Sequence, residues 1–399
     1  MSKWSKLQKD PLLFFSDMLG KKEITIPFFN NNNLLESSNN FNRFLPYTHI
    51  LHTGENITGL SHLDMWIPVF EDSSVTYIVL VRNLQLFNLV KEKYPLITLI
   101  YTKGKKELDF YLNQLCCVKA CFYPSNTGNN LHLLHFNDFK HIFIGHGDSD
   151  KTASAHKYFR VYDENWIAGD AHEDRFKNAG FNFSGLKQVK VGRPSLKELI
   201  DISQNNWKDR FNGEFKLLYL STWEGVYEEQ NYTSVYIIKN IFKKISKDFS
   251  HISVKLHPWV GKRNKVLLKT PDQLEQFFKN ENIKNTIAKK EIQVTELVKK
   301  ANIFICDISA VITDVLSANA PIFVYIPKNK DIKLSKSKMS YEDYTYVFSN
   351  EKELIKKMNE VLNGNDYLKE NREKAMEYIL GKEETLQNMF IQKLKSIEE

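Results

Sequence analysis

The chain has 399 residues, of which 42% are hydrophobic and 26% charged, and its formal net charge is +7. This length and balance predict a globular protein of two domains. The positive charge suits an anionic partner such as a nucleotide, a phosphorylated polymer or a membrane surface. Nucleic acid is not expected, because the basic residues form no arm or stripe and no nucleic-acid-binding motif occurs.

Several common classes of protein are excluded by missing motifs. The polar start has no apolar signal core, and no apolar run reaches the roughly 18–20 residues of a membrane-spanning helix. The four cysteines lack zinc-ligand spacing and predict free thiols in a reducing cytoplasm. GxSxG, Walker A and HExxH motifs are absent, which disfavours common hydrolases, P-loop enzymes and zinc proteases.

Residues 1–45 predict an N-terminal extension of one helix and a loop. Asp10 as N-cap, Pro11 in the first turn and Gly20 as a stop predict a helix over 10–20. The asparagine-rich stretch 30–42 predicts a loop.

Short apolar runs then alternate with helical patterns over a first domain, 46–195. The predicted strands are Thr76–Val81, Ile97–Tyr101, Ala120–Tyr123, His141–Ile144, Trp166–Ala168 and Gln188–Val191. The predicted helices are Gln85–Tyr94, Glu107–Leu115 and Ala171–Asn178. This alternation indicates a parallel sheet covered by helices on both faces.

A polar stretch at about 195–213 predicts the domain boundary, and the alternation restarts over a second domain, 210–350. Its predicted strands are Leu217–Leu220, Ile252–Leu256, Ile303–Cys306 and Ile322–Ile326, and its predicted helices are Thr233–Lys247, Pro271–Lys279, Glu291–Ala301 and Ala310–Ala318. Charged C-terminal helices are predicted over 351–399, either packed across both domains or free. Two such halves predict a ligand cleft at the carboxyl ends of the strands.

Two histidines follow predicted strands, one in each domain. His146 lies in a turn between Gly145 and Gly147, where it can act as a general base or serve only the structure. His257 precedes Pro258, which restricts how the chain leaves the strand. The two histidines can face one cleft, although His257 can also be an ordinary surface residue beside a turn.

Polar residues after two further strands predict a phosphate site. Asp307 or Ser309 can cap the helix that follows, and a helix start with unpaired N–H groups suits a diphosphate, unless these residues cap and do nothing more. Thr222 and the Thr233–Ser234 pair are arranged like the first strand–helix turn of a nucleotide-binding half, without its glycine motif. Two aspartates near His146, Asp148 and Asp150, are weak evidence for a metal, and no metal site is expected.

Taken together, these segments resemble the CDP-glycerol glycerophosphotransferase family, whose members build teichoic-acid and capsule polymers. The matching motifs are His146-Gly147 with Lys151, Ser221-Thr222-Trp223, Leu256-His257-Pro258 and Asp307 to Asp314, within about 140–330. The resemblance implies a GT-B-like fold of two Rossmann-type domains facing a cleft. It also implies transfer of glycerol or ribitol phosphate from a CDP-activated donor to a polymer or lipid-linked hydroxyl, with release of CMP and no required cofactor.

The resemblance also implies roles for individual residues. His146 would be the base on the acceptor hydroxyl, and His257 would contact the donor diphosphate or assist the leaving group. Donor or phosphate binding would fall to Thr222, Thr233, Ser234, Lys255, Asp307, Ser309 and Ala310, and acceptor or loop support to Gly147, Asp148, Ser149 and Lys151. The family often has Thr-Pro after His-Gly, so the departure here favours a capsule-type branch and leaves the polyol open.

Two other functions remain open at this stage. A GT-B glycosyltransferase would have the same fold but would attack a sugar carbon and release UDP from a UDP-sugar. A non-catalytic module of a wall or capsule assembly complex would have a blocked cleft with its histidines far apart. We expect a cytoplasmic protein that can also sit at the inner face of the cytoplasmic membrane.

Overall fold

The computed structural model of the protein describes residues 36–147, 155–328, 330, 337–381 and 388–398. The helix predicted over 10–20 lies outside these residues. In the described chain, strands and helices alternate in two successive α/β halves, each built on its own sheet. The predicted boundary at about 195–213 lies between the last strand of the first sheet and the first strand of the second.

The first half carries helices on both faces of a mostly parallel sheet. Its strands are β1 (Ser38–Asn39), β2 (His49–Thr53), β3 (Tyr77–Val81), β4 (Leu99–Tyr101), β5 (Ala120–Tyr123), β6 (Lys140–Phe143), β7 (Glu164–Ile167) and β8 (Gln188–Lys190). Its helices are α1 (Leu60–Ser73), α2 (Leu84–Lys93), α3 (Lys105–Leu112) and α4 (Asp170–Asn178). The strand order is β1-β4-β3-β2-β5-β6-β7-β8, and β1 pairs antiparallel with β4.

The second half has a sheet whose described strands all pair in parallel. Its strands are β9 (Lys216–Leu220), β10 (His251–Lys255), β11 (Asn285–Ile287), β12 (Ile303–Asp307), β13 (Ile322–Tyr325) and β14 (Tyr346–Phe348), in the order β11-β10-β9-β12-β13-β14. The helices are α5 (Lys197–Ser203), α6 (Val235–Ile245), α7 (Thr270–Asn280), α8 (Val294–Val298), α9 (Val311–Leu316), α10 (Tyr341–Tyr344), α11 (Glu351–Leu362), α12 (Lys369–Leu380) and α13 (Phe390–Lys395).

Burial on both faces explains why the strands are almost continuously apolar. In the first sheet, Leu51 and Val79 pack into the cluster that includes α1 and α2, while Ile50 and Leu80 pack into the cluster on the opposite face. Parallel strands place their carboxyl ends at one edge of each sheet. The loops that leave these edges carry both histidines singled out in the sequence.

Several elements were missed by the sequence pattern. The largest omissions are β2, a central strand, and α1, the helix that follows it. Part of the asparagine-rich segment predicted as a loop forms β1, and α5 lies in the predicted polar boundary. Strands β11 and β14 were also missed. All four cysteines are free thiols, as predicted; Cys121 and Cys306 are buried, whereas Cys116 is exposed.

The end of the chain packs across both halves. Helix α12 contacts α4 of the first half and α9 of the second, and α13 returns to α1. Phe390 of α13 is 1% exposed and its ring centroid lies 4.9 Å from Trp66 and 5.1 Å from Trp166. Of the two arrangements left open by the sequence, the packed one is therefore observed.

Candidate active site

The turn that carries His146 is fixed by a helix that the sequence pattern missed. Strand β6 ends at Phe143, and Gly145 has φ 66°, a conformation that glycine adopts at little cost. The indole Nε1 of Trp66 on α1 donates a 2.6 Å hydrogen bond to the carbonyl of Gly145. The positive φ of Gly145 and the hydrogen bond from Trp66 therefore fix the conformation of this turn.

His146 has a defined tautomer. Its Nδ1 lies 2.7 Å from the carbonyl oxygen of Pro124, which can only accept, so Nδ1 carries the hydrogen. In the neutral ring, Nε2 then holds the lone pair. His146 is exposed at one side of the turn, yet desolvation by the protein packed against its ring lowers the pKa of His146 to about 4, and His62 adds to the decrease. The ring is neutral at pH 7 and able to accept a proton.

A second histidine, His62, lies face to face with His146. The two ring centroids are 3.6 Å apart and the ring planes differ by 15°. His62 Nδ1 donates to Glu55 Oε2 at 2.6 Å. Burial raises the pKa of Glu55, but the hydrogen bond from His62 and the electrostatic interaction with it outweigh burial, so the pKa lies below its ordinary value. Glu55 is therefore a carboxylate near the His146 ring.

His257 has the opposite tautomer. It follows β10, and its Nδ1 accepts a 3.1 Å hydrogen bond from the backbone N–H of Trp259. An accepting Nδ1 cannot carry a hydrogen, so in the neutral ring the hydrogen is on Nε2. The ring is stacked against Trp223, with centroids 6.4 Å apart, and meets Trp259 edge-on. His257 is thus arranged as a hydrogen-bond donor at Nε2.

The loop after His257 is held by the loop after β9. Ser221 Oγ accepts from the backbone N–H of His257 at 3.1 Å. The carboxylate of Glu224, fully buried, accepts from the backbone N–H groups of Gly261 at 3.0 Å and Asn264 at 2.9 Å. These bonds tie the two loops together at the carboxyl edge of the second sheet.

Four of the predicted donor-binding residues form one buried network centred on Asp307. The Asp307 carboxylate accepts from the backbone N–H groups of Thr222 at 2.8 Å and Ser234 at 3.0 Å. It also accepts from the hydroxyls of Thr233 at 3.0 Å and Ser234 at 2.5 Å. All four residues are at most 4% exposed. Their hydrogen bonds join the ends of β9 and β12 to the start of α6.

The helix after β12 begins later than the sequence suggests. Neither Asp307 nor Ser309 is its N-cap: that position is Ala310, and α9 runs over Val311–Leu316. The hydroxyl of Ser309 instead donates to the carbonyl of Asp307 at 3.3 Å. The capping prediction for these two residues was wrong, because the chain bends over residues 308–310 before the helix starts at Val311.

This same turn lies against the His146 turn of the other half. A Cβ atom added at Gly147 would lie 3.1 Å from the Cβ of Ala310, so the glycine allows a close approach between the halves. Nearby, Arg193 and Asp314 form an ion pair with 3.4 Å between Nη2 and Oδ1. Burial raises the pKa of Asp314 to about 6, and Arg193 opposes this rise. The structure thus joins the two halves next to His146.

The remaining predicted site residues divide into two groups. The Lys255 ammonium donates to the carbonyls of Lys289 and Lys290, each at 3.2 Å, so it holds the loop after β11. Asp148, Ser149 and Lys151 lie outside the described residues.

The sequence of much of the chain matches a single family. A family model described as CDP-glycerol:poly(glycerophosphate) glycerophosphotransferase matches residues 128–381, well over half of the chain. The chain belongs to this family. The match confirms the resemblance seen in the motifs, and it identifies the protein as a glycerophosphotransferase-type enzyme. A comparison with curated proteins finds no match.

Solved structures show that this glycerophosphotransferase has a GT-B-like fold. A variant of the wall teichoic acid polymerase TagF with CDPG is 14% identical, with 90% of both chains covered and a TM-score of 0.59. UDP-GlcNAc 2-epimerase from Methanocaldococcus jannaschii is also 14% identical, with 88% of this chain and 99% of that chain covered and a TM-score of 0.55. A glycosyltransferase from Rickettsia africae is 10% identical, covers 89% and 98%, and has a TM-score of 0.51.

Three residues beside His146 in this glycerophosphotransferase were not found by sequence reasoning: Glu55, His62 and Arg193. Glu55 lies two residues after β2, so recognition of this strand would have placed its carboxylate at the carboxyl edge of the sheet. In the described part of the chain, no helix is long and apolar enough to span a membrane. The described side chains also contain no cluster of three or more metal-binding residues.

Proposed function

We propose that this protein transfers a polyol phosphate, glycerol or ribitol phosphate, from a CDP-activated donor to a hydroxyl of a growing polymer or primer. The acceptor belongs to a capsule or teichoic-acid-like polymer, and CMP is the leaving group. Family membership supports this class of reaction. The observation that carries the assignment of roles is the opposite tautomers of His146 and His257.

In the proposed reaction the acceptor hydroxyl attacks the β-phosphorus of the donor. Its proton passes to Nε2 of His146, and a new P–O bond forms to the acceptor oxygen. The bond between the β-phosphorus and the bridging oxygen breaks, and its electron pair leaves with CMP. General base catalysis contributes about 10²–10⁴-fold, so positioning and charge stabilisation supply the rest.

His257 serves the donor side of this reaction. Its Nε2–H donates to a diphosphate oxygen, where negative charge builds up as CMP leaves. A hydrogen bond that strengthens with developing charge stabilises the transition state more than the bound donor. The stacked Trp223 and the Trp259 amide support this role by holding the ring in place.

The other predicted donor-site residues support the site in two ways. One group supports the site structurally, since its polar groups are already bonded to each other: Thr222, Thr233, Ser234 and Asp307. Ser309 and Ala310 lie at the turn that meets Gly147, and we propose that this turn borders the donor phosphates. No cofactor is proposed, so CMP release is expected to persist in a chelator.

We further propose that the enzyme is cytoplasmic and works at the inner face of the cytoplasmic membrane, where a lipid-linked acceptor is available. The net charge of +7 suits both an anionic lipid surface and a polyanionic acceptor. Sedimentation with anionic vesicles, compared with neutral vesicles, measures this association.

A donor panel tests the proposed function. Purified full-length protein is incubated with a polyol-phosphate oligomer and CDP-glycerol, CDP-ribitol or a UDP-sugar, with and without EDTA, and nucleotide release is measured. We expect CMP release from at least one CDP-polyol and none of UDP. Release of UDP alone would overturn the proposal in favour of a glycosyltransferase.

A further inference from the structure

Glu55 and His62 form a pair beside His146 that lies outside the matched family region, 128–381. Glu55 lies two residues after Thr53, the last residue of β2, and Thr53 Oγ1 donates to its carboxylate at 3.2 Å. His62 lies in the first turn of α1, one helical turn before Trp66. The side chains of Glu55 and His62 are 16% and 18% exposed, so the pair is largely enclosed.

The contacts fix the His146 ring in two independent ways. Stacking on His62 sets the plane of the ring, with 3.6 Å between centroids. The bond from Nδ1 to the Pro124 carbonyl sets its rotation within that plane. The position of His62 is in turn fixed by Glu55 through the 2.6 Å bond to Nδ1. A shift of Glu55 or His62 would therefore change the direction in which Nε2 of His146 points.

We propose that Glu55 and His62 are positioning residues for His146, and that the Glu55 carboxylate stabilises the imidazolium that His146 becomes when it takes the acceptor proton. This inference rests on the proposed function. The proton moves from the acceptor hydroxyl to Nε2 of His146 and stays there until it is returned to solvent. No proton passes to Glu55, which remains a carboxylate next to the stacked rings of His62 and His146.

The charges around His146 support this arrangement. His62 and Arg193 disfavour a positive ring, whereas Glu55 and the Pro124 carbonyl favour it. Of these groups, Glu55 alone carries a negative charge. It therefore opposes the repulsion that a newly formed imidazolium would meet from His62 and Arg193. This is the role that an orienting carboxylate plays for a catalytic histidine in other enzymes.

Two substitutions separate this role from a purely structural one. Glu55→Gln keeps the size of the side chain and removes its charge, and His62→Phe keeps a stacked ring and removes the bond to Glu55. We expect each to lower kcat for CMP release by about 10–100-fold, less than loss of the base itself, with little change in the donor KM. His62→Gln serves as a second variant should the phenylalanine disturb folding. The matched control is Glu71→Gln, because Glu71 is exposed on α1, the helix that carries His62.

The pH profile gives the deciding readout. Loss of the Glu55 charge removes an attraction and moves the acid limb of kcat/KM to lower pH. Loss of His62 removes a repulsion and moves the same limb to higher pH, towards 6.5. Opposite shifts support the proposal. Wild-type rates and pH limbs in Glu55→Gln and His62→Phe, alongside an inactive His146→Ala, would overturn it. An active His146→Ala would instead reject His146 as the base, and failure of the wild-type enzyme to release CMP from any CDP-polyol would reject the proposed function.

Discussion

At the scale of single residues, the partner of each Nδ1 atom decides what a histidine can do. A carbonyl at 2.7 Å leaves His146 with a basic Nε2, and a backbone N–H at 3.1 Å leaves His257 with a donating Nε2. A reaction that removes a proton on one side and releases an anionic group on the other can use one histidine of each kind. In the proposed reaction, His146 therefore serves the acceptor and His257 the donor.

The pH dependence of turnover tests the state of His146. Burial and the neighbouring His62 hold its pKa at about 4, so the ring is neutral and basic above this pH and protonated below it. We expect kcat/KM to stay level from neutral pH to about pH 5 and to fall as pH drops through about 4. A limb near pH 6.5, the ordinary value for histidine, would show that the ring is not held in the state described.

Replacement of His257 tests the donor side. His257→Ala removes the Nε2–H and is expected to lower kcat for CMP release by about 10²–10³-fold, as loss of a transition-state donor does. His251→Ala is the matched control, since His251 lies at the opposite end of the same strand and bonds to Thr286. Equal rates in the two variants would remove His257 from the mechanism.

Sequence reasoning found both histidines, and the resemblance implied a role for each, but neither gave the tautomers. The strand followed by Gly145 and Gly147 predicted a turn that carries a functional side chain. The tautomer of His146 depends on Pro124, 22 residues earlier in the chain, which meets it only because β5 and β6 pair side by side. No local pattern contains that information.

At the scale of elements, one carboxylate organises the edge of the second sheet. Asp307 joins the end of β12 to the loop after β9 and to the start of α6. The sequence offered Asp307 or Ser309 as the cap of the following helix, because such residues after a strand commonly cap. The pairing of β9 with β12 brings the Thr222 amide close enough to compete, and Asp307 bonds to it instead.

Replacement of Asp307 should therefore act mainly on stability. In Asp307→Asn, the new amide N–H faces groups that donate, and the buried donors lose a charged partner. We expect the free energy of unfolding to fall by about 3 kcal/mol, measured by urea denaturation. Asp209→Asn, at an exposed position, should change it by less than about 0.5 kcal/mol. A stable Asp307→Asn variant would contradict the structural role of the network.

The elements that were missed explain the residues that were missed. Histidines at positions 49 and 52 interrupt the apolar run of β2, yet both are buried, and each has a ring nitrogen bonded to a backbone carbonyl. His49 Nε2 bonds to the carbonyl of Leu394, and His52 Nδ1 bonds to that of Leu80. Without β2 and α1, Glu55 and His62 have no predicted position and cannot be linked to His146.

At the scale of the whole molecule, the two halves are connected by more than the chain between β8 and β9. Gln293 of the second half donates to Asp64 on α1 at 3.0 Å, and Arg193 pairs with Asp314. Helix α13 then returns from the end of the chain to pack on α1. The alternation of strands and helices was enough to predict two α/β halves, but these long-range contacts depend on tertiary packing and could not be predicted.

Removal of the buried Phe390 ring tests whether the packing of α13 stabilises the first half. Phe390→Ala leaves a cavity between Trp66 and Trp166, and we expect it to lower the free energy of unfolding by about 3–5 kcal/mol. Leu96→Ala is the control, because Leu96 is 89% exposed. Denaturation midpoints of the two variants should differ clearly. If they coincide, α13 does not contribute to the stability of the first half.

The most direct measurement is CMP release from a CDP-polyol by the wild-type enzyme and by His146→Ala, in the presence of an acceptor oligomer. We expect the variant to lose about 10²–10⁴-fold in rate while its circular dichroism and unfolding midpoint stay unchanged. His135→Ala, at an exposed position of the same half, should retain full activity. Turnover by a folded His146→Ala at close to the wild-type rate would contradict the assignment of His146 as the base.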